Sequence, residues 1–346
     1  MAVINRREFL KASSAGAAAF AAYPGAAFSQ VVGTSAPFPD YKALVCVFLF
    51  GGNDSYNMLV PRSNAEYNVY AASRQNMAIP QGDLLPINPL TPDGAQYGLH
   101  PTMADIQTLF ESNRAAIITN VGPLIEPTTK GQFYNQSVAL PPQLFSHNDQ
   151  QNQWNTLQGT SPSKSGWAGR VADLIRTSVV DQQMATNASL FGSSLFQTGE
   201  ETVAYVMGTD GPIPFTGFGR PGRDDEIFIE QRLAFERIIN ANYSSIYERG
   251  FAEVQKRAVA AADLIGDALA SAPTLNTVFP DSELGQQLST VARLIAVRDQ
   301  LDMQRQIFFV ATGGFDSHDD QLLNQPGLLS GVSAAMSAFY DATVEL

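Results

Sequence analysis

The stretch Ala43-Leu44-Val45-Cys46-Val47-Phe48-Leu49-Phe50, followed at once by Gly51-Gly52, is the clearest indication of the fold class. An uninterrupted apolar run of this kind is typical of a strand that is covered on both faces, as in a parallel sheet. A second run, from Gln306 to Thr312, also ends in a glycine pair, Gly313-Gly314. A third apolar run covers residues 115–121. We predict that all three runs are buried parallel strands.

Helical periodicity separates these runs, which predicts an α/β protein with a doubly wound, mostly parallel sheet flanked by helices. The periodic segments are residues 103–113, 167–179, 224–271, 282–303 and 332–345. The Gly-, Thr-, Ser- and Pro-rich segment that begins at Asn187 is interpreted, with the helices after it, as a helical and irregular insertion over about residues 187–300. We expect the sheet to continue beyond Leu346; the alternative is a terminal helix docked on the sheet.

Composition excludes several classes of protein. A chain of 346 residues that is 45% hydrophobic and 16% charged is not a disordered tail, a coiled coil or a disulfide-stapled miniprotein. The net charge of −12 disfavours nucleic acid as a partner, because a phosphate backbone would be repelled. Cys46 is the only cysteine, so no intrachain disulfide can form, and we interpret it as a buried structural thiol.

The first 29 residues resemble an export signal. Arg6-Arg7 is followed by Phe9-Leu10-Lys11, then by an Ala-rich stretch from Ala12 to Ala22 and by small residues up to Ser29. This order predicts a twin-arginine signal peptide over residues 1–29, a partner in the twin-arginine export machinery, and a periplasmic or extracellular location. The alternative is an amphipathic helix or membrane anchor, but the apolar part is shorter than the roughly 20 residues that a span requires.

Two polar clusters directly follow the first and last predicted strands. Residues 51–57 include Asp54 and Asn57, and residues 313–321 include Asp316 and His318. In open α/β sheets, functional groups gather beyond the carboxyl ends of the strands. Carboxylate oxygens and imidazole nitrogens are suitable ligands for a divalent metal. The alternative for the first cluster is an ordinary turn, which Gly, Asn, Asp and Ser favour by themselves.

A third cluster, residues 144–151, contains Ser146-His147 in a polar loop. A serine beside a histidine is a candidate nucleophile with a neighbouring base. A Ser-His-Asp hydrolase would require a Gly-x-Ser-x-Gly turn, and Ser146 has no flanking glycines. A serine activated by a nearby metal fits better, and Ser55 is the alternative nucleophile. For His100, which precedes a predicted helix, we expect a capping or packing role.

These motifs resemble the twin-arginine-exported domain-of-unknown-function 1501 family of the alkaline phosphatase and sulfatase superfamily. The resemblance is collinear over nearly the whole chain, and the last motif is the most specific. The matching segments are residues 5–10, 50–57, 99–101, 145–150 and 313–318, with Gln321 after them. The family pattern continues to a Ser-Asp-Phe-Gly-Arg-Thr motif and an Asp-His pair. This sequence ends before both, so we expect a C-terminally truncated member.

The resemblance implies an alkaline-phosphatase-like domain over residues 30–346 and an exported metal-dependent hydrolase of phosphate or sulfate esters, borne by a small molecule or a polymer. It implies Asp54 as a metal ligand, with Asn57 as its rival, and Asp316 with His318 as the later ligand pair. Ser146 takes the place of the attacking group, with His147 beside it. The metal is zinc, calcium, magnesium or manganese. The alternative function is a non-catalytic exported binding or surface-associated protein, a degenerate relative of the superfamily.

The predicted sheet also predicts where Asp54 and Asp316 lie. If the runs before Asp54 and Asp316 are parallel strands of one sheet, both carboxylates lie at the same edge. We then expect His318 to turn into the same cleft, and the loop that carries Ser146 and His147 to cover it.

Overall fold

The computed structural model describes residues 38–159, 163–179, 182–213, 218 and 224–346. The predicted signal peptide, residues 1–29, lies outside these ranges. The strands of the described residues are β1 (Lys42–Leu49), β2 (Leu59–Pro61), β3 (Leu85–Ile87), β4 (Tyr97–Leu99), β5 (Asn187–Ser189), β6 (Tyr205–Val206) and β7 (Arg305–Thr312). The α-helices are α1 (Asn64–Arg74), α2 (Ala104–Glu111), α3 (Lys130–Asn135), α4 (His147–Thr156), α5 (Trp167–Ile175), α6 (Glu226–Ile239), α7 (Ile246–Ala270), α8 (Glu283–Ala296) and α9 (Gln321–Glu345).

The main sheet has four strands in the order β1-β7-β5-β6, and every pairing in it is parallel. Helices flank this sheet, so the predicted α/β class with a mostly parallel, doubly wound sheet is confirmed. A separate antiparallel sheet has the order β2-β4-β3 and lies between β1 and α2 in the chain.

Strand β7 shows why its sequence is continuously apolar. Ile307, Phe309 and Ala311 belong to a cluster on one face with Phe196, whereas Phe308 and Val310 belong to the larger core that includes buried residues of α8 and α9. Both faces are therefore covered, which explains the apolar run from Ile307 to Ala311. Strand β1 lies at the sheet edge and is only half-buried, so the prediction of a fully buried strand holds for β7 alone.

The prediction of a third strand, over residues 115–121, is wrong. Residues 115–121 form no strand, and the side chain of Ile118 is 82% exposed. Asn120 has a left-handed φ of 57°, which interrupts an extended ladder. Ala115, Ala116 and Ile117 instead line a cleft beside the small antiparallel sheet. An apolar run becomes a strand only when a neighbouring strand pairs with it. Residues 115–121 do not pair with β1, although β1 lies at the edge of the sheet.

The helical predictions are confirmed in outline. The periodic segment 224–271 is two helices, α6 and α7, that are separated by residues 240–245. The predicted insertion over about 187–300 differs from the structure in part, because β5 and β6 belong to the main sheet. Helix α8, which also falls in this range, has one face fully buried in the main core through residues such as Leu288 and Val291.

The predicted helix near residue 346 is α9, whose residues Leu329, Val332 and Ala335 are buried in the main core. Its first turn reaches the carboxyl edge of the sheet, where it meets the loop after β1. Among the residues that the structure describes, no helix is both long enough and apolar enough to cross a lipid bilayer.

Candidate functional site at the carboxyl edge of the sheet

Strands β1 and β7 are parallel neighbours, so their carboxyl ends lie side by side. The register pairs Leu49 with Thr312, and the Phe50 N–H donates to the Thr312 carbonyl at 2.9 Å. Gly51 has a φ of +107°, and a Cβ atom built on it would lie 2.5 Å from the Asp316 backbone nitrogen. The loops after the two strands are therefore in contact, and the expected placement of Asp54 and Asp316 at one edge is confirmed.

Asp54 is held by a network of donors. Its carboxylate accepts hydrogen bonds from the Arg74 guanidinium at the end of α1, from the Gln321 side-chain amide, and from the Tyr56 backbone N–H at 3.1 Å. The side chain is only 12% exposed. Burial lowers the pKa of the Arg74 guanidinium, but arginine stays charged at any ordinary pH and neutralises the carboxylate. Asp54 therefore connects its own turn with α1 and α9.

Asn57 is buried and its amide is used structurally. Its Nδ2 donates to the Met77 carbonyl at 3.1 Å, and its Oδ1 accepts a hydrogen bond from the Tyr70 hydroxyl at 2.9 Å. The Tyr70 hydroxyl oxygen in turn accepts from the Ile79 N–H at 2.9 Å. Burial is the main cause that raises the pKa of the Tyr70 hydroxyl. The structure thus places Asn57 in the packing of α1, with both halves of its amide already bonded.

Asp316 lies between two imidazoles. Its Oδ1 is 3.3 Å from His147 Nε2 and 3.2 Å from His318 Nε2. These separations are long for hydrogen bonds. The Asp316 side chain is 44% exposed and that of His318 is 80% exposed. The second and third sequence clusters therefore converge, as expected, and they converge on a carboxylate that solvent can reach.

His318 has a left-handed φ of 46°. Few residues other than glycine adopt this conformation, although histidine does so more often than most. It lies at the first position of a short 3-10 helix, residues 318–320, directly before α9. The turned-back chain accounts for the contact between His318 and Asp316, two residues earlier.

Ser146 is the N-cap residue of α4. Its hydroxyl oxygen accepts a long hydrogen bond from the Asp149 N–H at 3.4 Å, and His147 is the first residue of the helix. A capping serine uses its oxygen as an acceptor and keeps its own proton. The predicted loop is helical from His147 onward, because α4 begins there. The segment does lie at the edge of the sheet, where the His147 imidazole is close to both Asp316 and the loop after β1.

His100 has the structural role that was expected of it. It is buried after β4, its Nδ1 contacts the Thr102 hydroxyl at 2.9 Å, and it accepts a hydrogen bond from the Thr102 N–H at 3.2 Å. Burial lowers its imidazole pKa, which keeps it neutral at physiological pH. Cys46 is only partly buried, in contrast to the buried thiol that was predicted, and burial raises the pKa of its thiol to about 11.

The chemistry of these donors differs between the two loops. His147, Asp316 and His318 carry two imidazole nitrogens and a carboxylate, which are donor types that zinc and similar ions accept. Asp54 and Asn57 are already engaged by protein donors. Within the described ranges, no three or more His, Cys, Asp or Glu side chains are grouped closely enough to hold a metal ion as they stand. An ion at Asp316 would therefore require the two imidazoles to move.

Sequence reasoning missed Arg74 and Gln325. Arg74 ends a helix that begins ten residues after Asp54, and no sequence signal connects its charge to that carboxylate. The Gln325 side chain donates to the Asp54 carbonyl at 2.9 Å. Its spacing of four residues from Gln321 places both glutamines on one face of α9, which the sequence does show.

A small cavity between the loops is lined by Gly52, Asp54, Phe315, Ser317, Gln321, Gln325 and Leu328.

Comparisons with family models, curated proteins and solved structures give no match to this chain.

Proposed function

We propose that this protein is an exported, metal-dependent hydrolase of phosphate or sulfate esters, related to the domain-of-unknown-function 1501 family. The observation that carries the proposal is the convergence of His147 and His318 on the Asp316 carboxylate, beside Ser146, at the carboxyl edge of a parallel sheet. In open α/β folds this edge is where ligands bind.

Asp316 and His318 are the residues that would hold a divalent ion. A bound ion of this kind would polarise an ester oxygen and lower the pKa of a hydroxyl. Zinc, calcium, magnesium and manganese all remain candidates. The hydrogen bonds of Asp54 and Asn57 favour a structural role for both, so the ligand set is smaller than the sequence resemblance implies.

Ser146 is the proposed attacking group, and its hydroxyl lies at the start of α4, where it is partly buried. Its oxygen would give up its proton and bond to the phosphorus or sulfur as the ester's alcohol leaves, and water would then release the phosphate or sulfate. His147 would accept that proton at Nδ1, because its Nε2 faces Asp316. Asp316 would then hold the imidazole in one orientation. The ester's phosphate or sulfate group would approach from solvent, where Asp316 and His318 are exposed.

The test is hydrolysis of 4-nitrophenyl phosphate and 4-nitrophenyl sulfate after each of the four metals is added. Ser146→Ala should lose turnover by about 100-fold or more while it keeps its metal content and fold. Ser282→Ala is the matched control, because Ser282 caps α8 in the same way at 3.1 Å but lies outside the site. Both variants lose a cap worth about 1 kcal/mol. Equal turnover in both would overturn the role of Ser146.

A second function, a non-catalytic exported binding protein, is favoured by one observation. Asp54, the first ligand that the resemblance implies, is neutralised by Arg74. An absence of both bound metal and ester hydrolysis in the wild-type protein would support this function and refute the hydrolase.

The export part of the proposal rests on the sequence of residues 1–29. Replacing Arg6 and Arg7 together by lysine should leave the protein in the cytoplasm, because the twin-arginine pathway requires the pair. Cell fractionation with an antibody would measure this, and unchanged export of the variant would contradict it.

A further inference from the structure

Gly52 lies directly against the imidazole of His147. A Cβ atom built on Gly52 would lie 2.7 Å from His147 Cε1, 3.5 Å from Nδ1 and 3.6 Å from Nε2. These three atoms are the nearest to that position, and all belong to the same imidazole. Unlike Gly51, Gly52 does not have a left-handed φ. Its backbone would therefore accept an alanine, and what an alanine would displace is the ring of His147.

We propose that Gly52 is a positioning residue whose missing side chain allows the His147 imidazole to lie beside Asp316. The ring touches the loop after β1 on one side and the Asp316 carboxylate on the other. A side chain at position 52 would fill the space that the ring occupies beside the loop after β1. The ring would then turn away from the Asp316 carboxylate. For catalysis this inference rests on the proposed function, because it assumes that His147 takes part in the reaction; the placement of the ring does not depend on it.

The direction of the effect follows from what can move. The His147 side chain is about half exposed, so the ring can rotate into solvent with little cost to the fold. Gly51 differs, because an added Cβ there meets the backbone nitrogen of Asp316, which cannot rotate away. Substitution at Gly52 should therefore change the site and spare the fold.

Gly313 provides the matched control. It is the first residue after β7, has no left-handed φ, and has no atom within 4 Å of a built Cβ. Gly313→Ala should change neither the ring of His147 nor the fold.

The experiment compares Gly52→Ala and Gly313→Ala in the full chain by NMR of the imidazole groups. The chain has three histidines, so the spectrum is simple, and His147→Gln and His318→Gln assign the signals. In Gly52→Ala we expect shifted His147 ring signals, because the added methyl group takes the place of the ring beside residue 52. The thermal midpoint should stay within about 2 °C of the wild type.

Three outcomes would overturn the proposal: unchanged His147 signals in Gly52→Ala, equal shifts in Gly313→Ala, or failure of Gly52→Ala to fold, since the ring and not the backbone is expected to yield. Where the wild type hydrolyses aryl phosphate, Gly52→Ala should lower kcat by about tenfold or more with a smaller change in KM. If the wild type has no turnover, the proposed function fails, while the NMR comparison still decides the role of Gly52.

Discussion

The loops after β1 and β7 both contain a glycine pair and an aspartate, yet the two aspartates have different surroundings. Asp54 is closed in by Arg74, Gln321 and the backbone of its own turn. Asp316 is exposed to solvent, and its Oδ1 lies 3.3 Å from His147 Nε2 and 3.2 Å from His318 Nε2. A carboxylate that is saturated by donors stabilises a fold, whereas an exposed one beside two imidazoles is available for a ligand. We therefore propose that the loop after β1 has a structural role and that the loop after β7 carries the chemical site.

The largest effect should come from Gly51→Ala. Its φ of +107° strains any side chain, and the added Cβ meets a backbone atom. We expect a loss of about 3 kcal/mol or more in the free energy of unfolding, measured by urea denaturation. Gly313→Ala, in the other loop, should change it by less than about 0.5 kcal/mol. Similar losses in the two variants would remove the distinction between the loops.

Next in size is Arg74→Ala. The change leaves the mostly buried Asp54 carboxylate without its cation, so we expect a loss of roughly 2 to 3 kcal/mol. Arg176→Ala is the control, because Arg176 pairs with Glu201 at 2.6 Å with both side chains more than half exposed. Such surface pairs contribute about 0 to 1 kcal/mol. The account would be contradicted if the control lost as much stability as Arg74→Ala.

A smaller loss is expected for Asn57→Ala. The Tyr70 hydroxyl and the Met77 carbonyl each lose a partner in a buried place, which costs about 1 to 2 kcal/mol. Because the amide is structural, metal content should not change. A variant that keeps its thermal midpoint but loses its metal would instead identify Asn57 as a ligand.

The smallest effect on stability should come from Asp316→Asn. Its carboxylate is exposed and joins no buried network, so the free energy of unfolding should change by less than about 0.5 kcal/mol. Chemical denaturation alongside Asp54→Asn gives the direct contrast. A large loss of unfolding free energy in Asp316→Asn would show that the loop after β7 also has a structural role.

The two long strands of the main sheet, β1 and β7, could be predicted because each contains a continuous apolar run. In β7 the run from Ile307 to Ala311 is covered on both faces, so these residues are apolar, and the sequence shows it. Residues 115–121 have the same pattern but no partner strand, and pairing is a tertiary property that an apolar run does not contain. Gln287 of α8 is a second example of a contact that no local pattern predicts. Its buried side chain hydrogen-bonds to both the N–H and the carbonyl of Ala311 in β7.

The site could be predicted in its location but not in its internal bonding. Parallel strands bring Asp54 and Asp316 to one edge, and that follows from two apolar runs and two glycine pairs. Whether Asp54 is free depends on the direction of the Arg74 side chain, which is set by the packing of α1. The contact between His147 and Asp316 depends equally on the turn before α4. Such contacts join residues that are far apart in the sequence, so no local pattern records them.

Metal content tests the central claim most directly, namely that the chemistry belongs to the loop after β7. Elemental analysis would compare the wild type, Asp54→Asn, Asp316→Asn and His318→Gln after reconstitution with each divalent metal. The account predicts a bound ion in the wild type and in Asp54→Asn, with occupancy reduced about tenfold or more in the other two. An absence of metal from the wild type, or loss of metal in Asp54→Asn with retention in Asp316→Asn, would contradict it.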